Sequence, residues 1–107
     1  MATLIWPGGT QTQDFEIPFA AEEVAKVIVS YEQEDETILE KTITSFEDAG
    51  YGKTAFSYEL TQAESLLFRS EVKAWIQLNV MNTDGKRIPS VPFAVLCGPQ
   101  FHREVIT

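Results

Sequence analysis

Cysteine and histidine, which are common in nucleophilic sites and in zinc sites, are almost missing from this sequence. Its 107 residues include one cysteine, Cys97, and one histidine, His102. A single cysteine excludes an internal disulfide, and one Cys with one His cannot complete a zinc site. A Cys97–His102 nucleophile pair is conceivable, but the sequence offers no third group to orient the histidine. We therefore expect a protein that is not an enzyme and that binds no metal or cofactor.

Basic residues are also few. Eight lysines and arginines stand against 16 acidic residues, which gives a formal net charge of −8. The lysines are scattered along the chain and the arginines form no run. Because a nucleic-acid-binding surface needs clustered Lys and Arg to neutralise phosphates, the charge balance predicts no nucleic-acid partner.

Long hydrophobic runs are absent as well. No stretch approaches the ~18 apolar residues of a membrane span, so we expect no contact with a membrane. The opening residues, MATLIWPGG, lack a positively charged region, and their apolar run is shorter than that of a signal peptide. These features predict a chain that is made and folded in a cytoplasm.

The acidic run Glu32-Gln33-Glu34-Asp35-Glu36 is the remaining candidate for a metal site, because calcium prefers oxygen ligands. The run lacks the glycine and the spaced ligands of a calcium-binding loop. Acidic residues at a hairpin tip are usually solvated, and they also discourage pairing between sheet edges. We interpret the run as a loop between two strands.

What the sequence does contain is β-strand periodicity. Its composition, 44% hydrophobic and 22% charged, is typical of one globular domain over residues 1–107, with the stretch from about residue 97 as a candidate flexible tail. Several short segments alternate or are rich in β-branched residues, and turn signals separate them. This pattern predicts an all-β, Ig-like antiparallel sandwich of about seven strands, with a partly closed barrel as the alternative. The predicted strands are 3–6, 11–17, 24–31, 37–46, 54–60, 72–81 and 87–96.

Alternation also predicts which side chains of each strand face the core. In 24–31 one row is Ala25, Val27, Val29 and Tyr31, and the other contains Lys26 and Ser30. In 72–81 the row that must face a core is Val72, Ala74, Ile76, Leu78 and Val80. The segment 47–53, with its two glycines, is expected to be a loop. Pro89 and Pro92 cannot donate ladder hydrogen bonds, so the last strand should be an edge strand or bulged.

A short helical crossover is predicted between the strands 54–60 and 72–81. Thr61 followed by Glu64 matches a capping box, in which each side chain satisfies the other residue's backbone N–H. Leu66 and Leu67 are expected to face inward after it. Asn82 to Gly85 is predicted to be a tight turn, with Gly85 supplying a positive φ.

Four residues are candidates for an interface. Trp75 falls on the row opposite the all-apolar row of its strand, and Met81 falls on the same row. An exposed Trp can anchor a protein or sugar contact, although packing against Pro89 or Pro92 is the more ordinary explanation. Trp6 raises the same alternatives, and Tyr31 is a second aromatic that could contact a sugar.

Several segments carry a family resemblance. They are TQDFEIPF, KVIVSYEQ, TILEKT, LTQAESLLF and VKAWIQLNVMNTDGKRIPS, and together they cover most of the chain. The pattern resembles that of a family of small phage and prophage structural proteins from gut Firmicutes. The first strands are also similar to the N-terminal domains of some phage baseplate proteins.

The resemblance implies a β-sandwich that assembles with copies of itself or with other structural proteins of a phage tail or baseplate. Such a protein would be present in the bacterial cytoplasm during assembly and afterwards in the virion. The family pattern supplies no catalytic residue. The alternative function is a small carbohydrate- or surface-ligand-binding module, because β-sandwiches with exposed aromatic residues commonly have that role.

Overall fold

We analysed a computed structural model of the chain, which describes residues 4–5, 7–90 and 92–98. These residues contain nine strands, one 3-10 turn and one four-residue helix, joined by turns and loops. Their bounds are β1 Leu4–Ile5, β2 Gln11–Ile17, the 3-10 turn Ala21–Glu23, β3 Val24–Gln33, β4 Glu36–Ile43, β5 Glu47–Gly50, β6 Lys53–Leu60, α1 Gln62–Ser65, β7 Ala74–Asn82, β8 Arg87–Pro89 and β9 Phe93–Cys97.

The strands form two sheets. The large sheet has the order β1-β9-β7-β3-β4, with β8 also paired to β7, and the small sheet has the order β2-β6-β5. All pairs are antiparallel except β1–β9. An Ig domain likewise places strands C, F and G in one sheet and strands B, D and E in the other, and here β3, β7 and β9 match C, F and G while β2, β5 and β6 match B, D and E. The predicted all-β, Ig-like sandwich is therefore confirmed, and the barrel alternative is not.

The core lies between the inner faces of the two sheets. Its side chains come from alternate positions, as expected where one face of each strand is buried. Phe15 of β2 stacks on Phe56 of β6 with ring centroids 5.2 Å apart, and Phe46 meets Phe56 edge-on. The buried apolar side chains are Ile5, Phe15, Ile17, Val24, Val27, Val29, Tyr31, Phe56, Leu60, Phe68, Ala74, Ile76, Leu78, Val80, Val95 and Cys97.

A β-bulge at the start of β3 changes which of its side chains share a face with Val27. Val24 pairs with Asn82 and Lys26 pairs with Met81, so β3 has one residue more than β7 over this step. The extra residue reverses the alternation on its N-terminal side. Val24 is consequently buried and Ala25 is exposed, so the prediction that Ala25 lies in one row with Val27 is wrong.

Two hairpins are tighter than the sequence indicates. The acidic loop is reduced to Glu34 and Asp35, whose φ angles of 51° and 63° form a two-residue turn between β3 and β4. The segment predicted as a loop contains β5, which pairs with β6 through a turn at Tyr51 and Gly52.

The helical crossover has the predicted cap but not the predicted inner face. Thr61 Oγ1 accepts a hydrogen bond from the Glu64 backbone N–H, and Glu64 Oε1 accepts one from the Thr61 backbone N–H. The helix ends after one turn, so the chain direction changes before Leu67, which is half exposed. Ser65 and Phe68 are buried there instead.

The last predicted strand is divided into β8 and β9, which pair with successive parts of β7. Between them the backbone N–H of Ser90 donates to Leu78 O, and Ser90 Oγ accepts from the Leu78 N–H. Pro89 lies in β8, which has no second neighbour among the described strands. The expected edge or irregularity is therefore present at the prolines. The candidate tail falls outside the described residues, apart from Cys97 and Gly98.

Candidate functional site: the outer face of the large sheet

The candidate site is the surface of the large sheet that points away from the small sheet, which we call the outer face. Along β7 the outward side chains are Trp75, Gln77, Asn79 and Met81, between the buried ones of the core. Trp75 and Met81, both predicted from alternation, therefore lie on one face. At ~3.3 Å per residue they are about 20 Å apart along the strand.

Trp75 is the most exposed apolar side chain of β7, at 47% of its full accessibility. Its register partners are Glu32 on β3 and Ala94 on β9, and both are exposed. A groove of about 480 Å³ runs beside the ring and is lined by Ser30, Glu32, Asp35, Trp75, Ile76, Gln77 and Pro92. Pro92, one of the two prolines expected to pack against Trp75, lines the same groove. About half of the indole nevertheless remains open to solvent.

Met81 lies at the opposite end of the outer face and is partly exposed. Its register partners are Lys26 on β3 and Arg87 on β8, so a cation stands on each side of it. Arg87 Nε donates to Asn79 Oδ1 at 2.9 Å, which holds the guanidinium stem along the sheet. A second groove of about 400 Å³ follows this end and includes Lys26, Ile28, Met81 and Arg87 in its lining.

The two grooves are continuous, because Ser30, Glu32 and Gln77 line both. The polar groups in the middle of the face are fixed by local bonds. Ser30 Oγ donates to Glu40 Oε2 at 2.9 Å, and Gln77 Nε2 donates to Ser90 O at 3.0 Å. The outer face therefore carries a shallow, continuous groove with an indole at one end and a thioether at the other.

The structure corrects the assignment of Tyr31 as an exposed aromatic residue. Tyr31 is fully buried, and its hydroxyl shares a hydrogen bond with the hydroxyl of Tyr58. Its position follows from period two, because Tyr31 continues the inward row of Val27 and Val29. It cannot contact a ligand while the domain is folded. Trp6, the fourth candidate, lies outside the described residues.

Cys97 is placed in the core, at the end of β9. Its Sγ accepts a hydrogen bond from Gln33 Nε2 at 3.4 Å. Burial raises the pKa of the thiol to about 11, so it stays protonated at neutral pH and is a weak nucleophile. His102 lies outside the described residues.

Other residues of the outer face were not recognised in the sequence. Leu96 is 58% exposed, and its place two positions from Ala94 on β9 puts it at the Trp75 end of the face. Alternation with the buried Val95 and Cys97 was a usable signal for it. The grouping of Lys26 and Arg87 around Met81 had no local signal, because it depends on the bulge and on long-range register.

In comparisons with known proteins, no family model and no curated protein matches the chain. Over residues 4–5, 7–90 and 92–98, no group of three Cys, His, Asp or Glu side chains is arranged to hold a metal ion. The helices in that part of the chain are too short and polar to cross a membrane.

Proposed function

We propose that the protein is a non-enzymatic structural component that works by binding other protein subunits through the outer face of its large sheet. The observation that carries the proposal is the half-exposed indole of Trp75 on a regular sheet face, with exposed Ala94, Pro92 and Leu96 around it. The resemblance to small phage and prophage structural proteins favours a tail or baseplate as the place of assembly.

Burial of the exposed Trp75 ring would be favourable, and this favours a protein partner for the surface. Trp is enriched at the centres of protein interfaces, where burial of a large ring supplies much of the binding energy. Charged residues are depleted there, and the charged residues that line the groove beside Trp75 are Glu32 and Asp35, on its β3 side. The apolar side chains around Trp75 thus have the composition of an interface core, with charged residues on one side.

The outer face of the small sheet offers a contrast. Its exposed positions include Asp14, Glu16 and Glu59, and it carries one ion pair, Lys53 Nζ to Glu16 Oε1 at 3.4 Å. None of the large exposed hydrophobic side chains comes from the strand positions of that face; Tyr51 is at its hairpin turn. An acidic, hydrated surface of this kind stays in solvent, so the two outer faces are expected to behave differently on assembly.

The test is incorporation of the chain into phage particles made by a bacterium that encodes it. A tagged wild-type chain is expected in purified particles, and Trp75→Ser is expected to reduce its amount at least tenfold. Tyr51→Asn is the matched control, because it removes an exposed aromatic residue from a different part of the surface. Absence of the wild-type chain from particles, or equal incorporation of Trp75→Ser, would overturn the proposal.

One observation favours a second candidate, a carbohydrate- or surface-ligand-binding module. The groove beside the indole is lined by two carboxylates, a hydroxyl and an amide, from Glu32, Asp35, Ser30 and Gln77. An aromatic surface with a few polar groups is the usual composition of a small-molecule site. A glycan array followed by tryptophan fluorescence titration of wild-type and Trp75→Phe protein tests it. A flat response in both experiments excludes this function.

A further inference from the structure

The two ends of the outer face carry charges of opposite sign, and between them lies Glu40, which accepts a hydrogen bond from Ser30 Oγ. At the Trp75 end stand Glu32 and Asp35, and at the Met81 end stand Lys26 and Arg87. Glu32 and Lys26 lie on the same strand, six residues apart, which is about 20 Å at ~3.3 Å per residue. The face therefore has an acidic end with an indole and a basic end with a thioether.

These four side chains form no ion pair with other described residues, although Arg87 Nε donates to Asn79 Oδ1. The ion pairs of the described residues are Lys41–Glu64, Lys53–Glu16 and Arg69–Glu34, and none involves Glu32, Asp35, Lys26 or Arg87. The side chains at both ends of the face are consequently available to pair with groups of opposite charge on another molecule.

A surface divided in this way is complementary to itself. When two sheets stack face to face, a two-fold axis that relates them lies in the plane between them. An axis perpendicular to the strands sets each strand antiparallel over its own copy. That arrangement brings the acidic end of one outer face over the basic end of the other, and symmetry repeats the contact.

We propose that the outer face binds a second copy of this chain in this antiparallel, two-fold arrangement. The inference rests on the proposed function, and it names the partner and the contacts of that same surface. Glu32 of each copy pairs with Lys26 of the other. Trp75 of each copy packs on Met81 of the other, a favourable contact between a thioether and an aromatic ring.

Arg87 completes the arrangement. It lies on β8, which continues the line of β9 along β7, so it faces Ala94 of the second copy and comes beside that copy's Trp75. A guanidinium over an indole is a favourable cation–π contact. The alternative axis, parallel to the strands, would place like ends together and would match none of these charges.

The size of the face sets the expected affinity. Four strand positions at ~4.8 Å give a width of about 19 Å, and the length from Lys26 to Glu32 is about 20 Å. The resulting footprint of about 400 Å² per copy is half of the ~800 Å² per partner found in standard interfaces. We therefore expect a reversible dimer with a dissociation constant in the micromolar to millimolar range.

The test is sedimentation equilibrium at low salt over a wide concentration range, with Lys26→Glu and Glu32→Lys. Each variant alone places like charges together in both symmetric contacts, so dimerisation should weaken at least tenfold. Mixed in equal amounts, the two variants form complementary pairs at both contacts, so a heterodimer should form with nearly wild-type affinity. The dimer should also weaken as salt is raised, because the charge pairs are near the surface.

Matched controls carry the same charge changes on the small sheet. Lys53→Glu and Glu59→Lys lie at exposed positions there and should leave the dimer unchanged. Unfolding midpoints of all variants show that each is folded. A wild-type chain that stays monomeric overturns the inference, and so does a dimer that is insensitive to both variants or a mixture that is not restored. If Trp75 is still needed for incorporation into particles, the proposed function survives that failure with a different partner.

Discussion

Tyr31 on β3 and Tyr58 on β6 share a hydrogen bond between their hydroxyl groups, and this bond joins the two sheets across the core. Tyr31 is fully buried and meets Phe68 edge-on, whereas Tyr58 is partly exposed and has the Lys41 ammonium 5.6 Å from its ring centre. Because buried polar groups need partners, each hydroxyl makes burial of the other less costly.

The two hydroxyl groups should therefore contribute to the free energy of unfolding as a coupled pair, so that losing one leaves the other without a partner. We expect Tyr31→Phe to lower the free energy of unfolding by about 1–2 kcal/mol, because the Tyr58 hydroxyl is left without its partner. The double variant with Tyr58→Phe should cost less than the sum of the single variants. Urea unfolding of the four proteins measures the coupling, and strictly additive costs would contradict the bond.

The same tyrosine should make the domain sensitive to alkali. Burial raises the pKa of Tyr31 from its ordinary value of 10.0 to about 12, although the hydrogen bond with Tyr58 opposes the shift. Burial raises the pKa of Tyr58 as well. The contribution of a group with a raised pKa is fully present below pH 10 and is lost as the pH rises towards 12, since the unfolded chain then loses a proton that the folded chain keeps. Unfolding energies measured from pH 9 to pH 12 should fall in the wild type and fall less in the double Phe variant, and parallel curves would exclude this cause.

Two buried glutamines should respond oppositely to one substitution. Gln33 Nε2 donates to the carbonyls of Arg69 and Val72, and its Oε1 accepts from the Arg69 N–H at 2.7 Å. Gln13 is equally buried, but its Oε1 has no partner among the described residues. Gln33→Met leaves several backbone groups unpaired and should destabilise by about 2–4 kcal/mol. Gln13→Met removes an unpaired oxygen and should be neutral or stabilise by up to about 1 kcal/mol.

Urea unfolding of the two Met variants under one set of conditions tests this difference. The side chains match in volume closely enough that packing affects both alike. A similar loss in both variants would show that the Gln13 oxygen is satisfied in solution.

Trp75 shows what a local pattern can determine, and Ala25 shows what it cannot. The side of β7 on which Trp75 lies follows from period two and an all-apolar opposite row, and the cap of α1 follows from Thr61 and Glu64 alone. The bulge that exposes Ala25 depends on pairing between β3 and β7, which are distant in sequence. Propensity likewise missed β5, since the residues Glu47–Gly50 form a strand only because β6 pairs with them.

The candidate site divides along the same line. The placement of Trp75 and Met81 on one face was predictable, because both lie on a single strand. Their charged neighbours come from β3 and β8, so the division of charge appears only when the register of three strands is known. Tyr31 was misassigned as an interface residue although its own row indicated burial.

The ion pair between Lys41 and Glu64 should stabilise the crossover, and its contribution should depend on pH. Lys41 Nζ lies 2.7 Å from Glu64 Oε2, and the two side chains are 25% and 23% exposed. Burial favours protonation of Glu64, but the hydrogen bonds from Lys41 and Thr61 outweigh it and lower the pKa of the carboxyl below 4.5. A lowered pKa contributes stability above the unfolded value that is lost as the pH falls. Glu64→Gln should cost about 0.5–1 kcal/mol at pH 7, and the difference from wild type should narrow below pH 4.5. Urea unfolding of wild type and Glu64→Gln at pH 7 and below pH 4.5 tests this prediction. A stability difference between the two proteins that does not change with pH would contradict the ion pair.

The hairpin turn of β5 and β6 should be open to stabilisation at Tyr51. Tyr51 and Gly52 have φ angles of 54° and 73°, and the Tyr51 side chain is fully exposed. A residue with a Cβ is strained by roughly 1–2 kcal/mol in the left-handed region, whereas Asn tolerates it and Asn-Gly is the preferred pair for such two-residue turns. Tyr51→Asn should therefore raise the free energy of unfolding by about 0.5–1 kcal/mol. Gly52→Ala, in the same turn with open space around it, should lower that energy because the strain is introduced rather than removed. Thermal unfolding of the two variants measures the difference, and a shift in the same direction for both would show that φ at the turn does not limit stability.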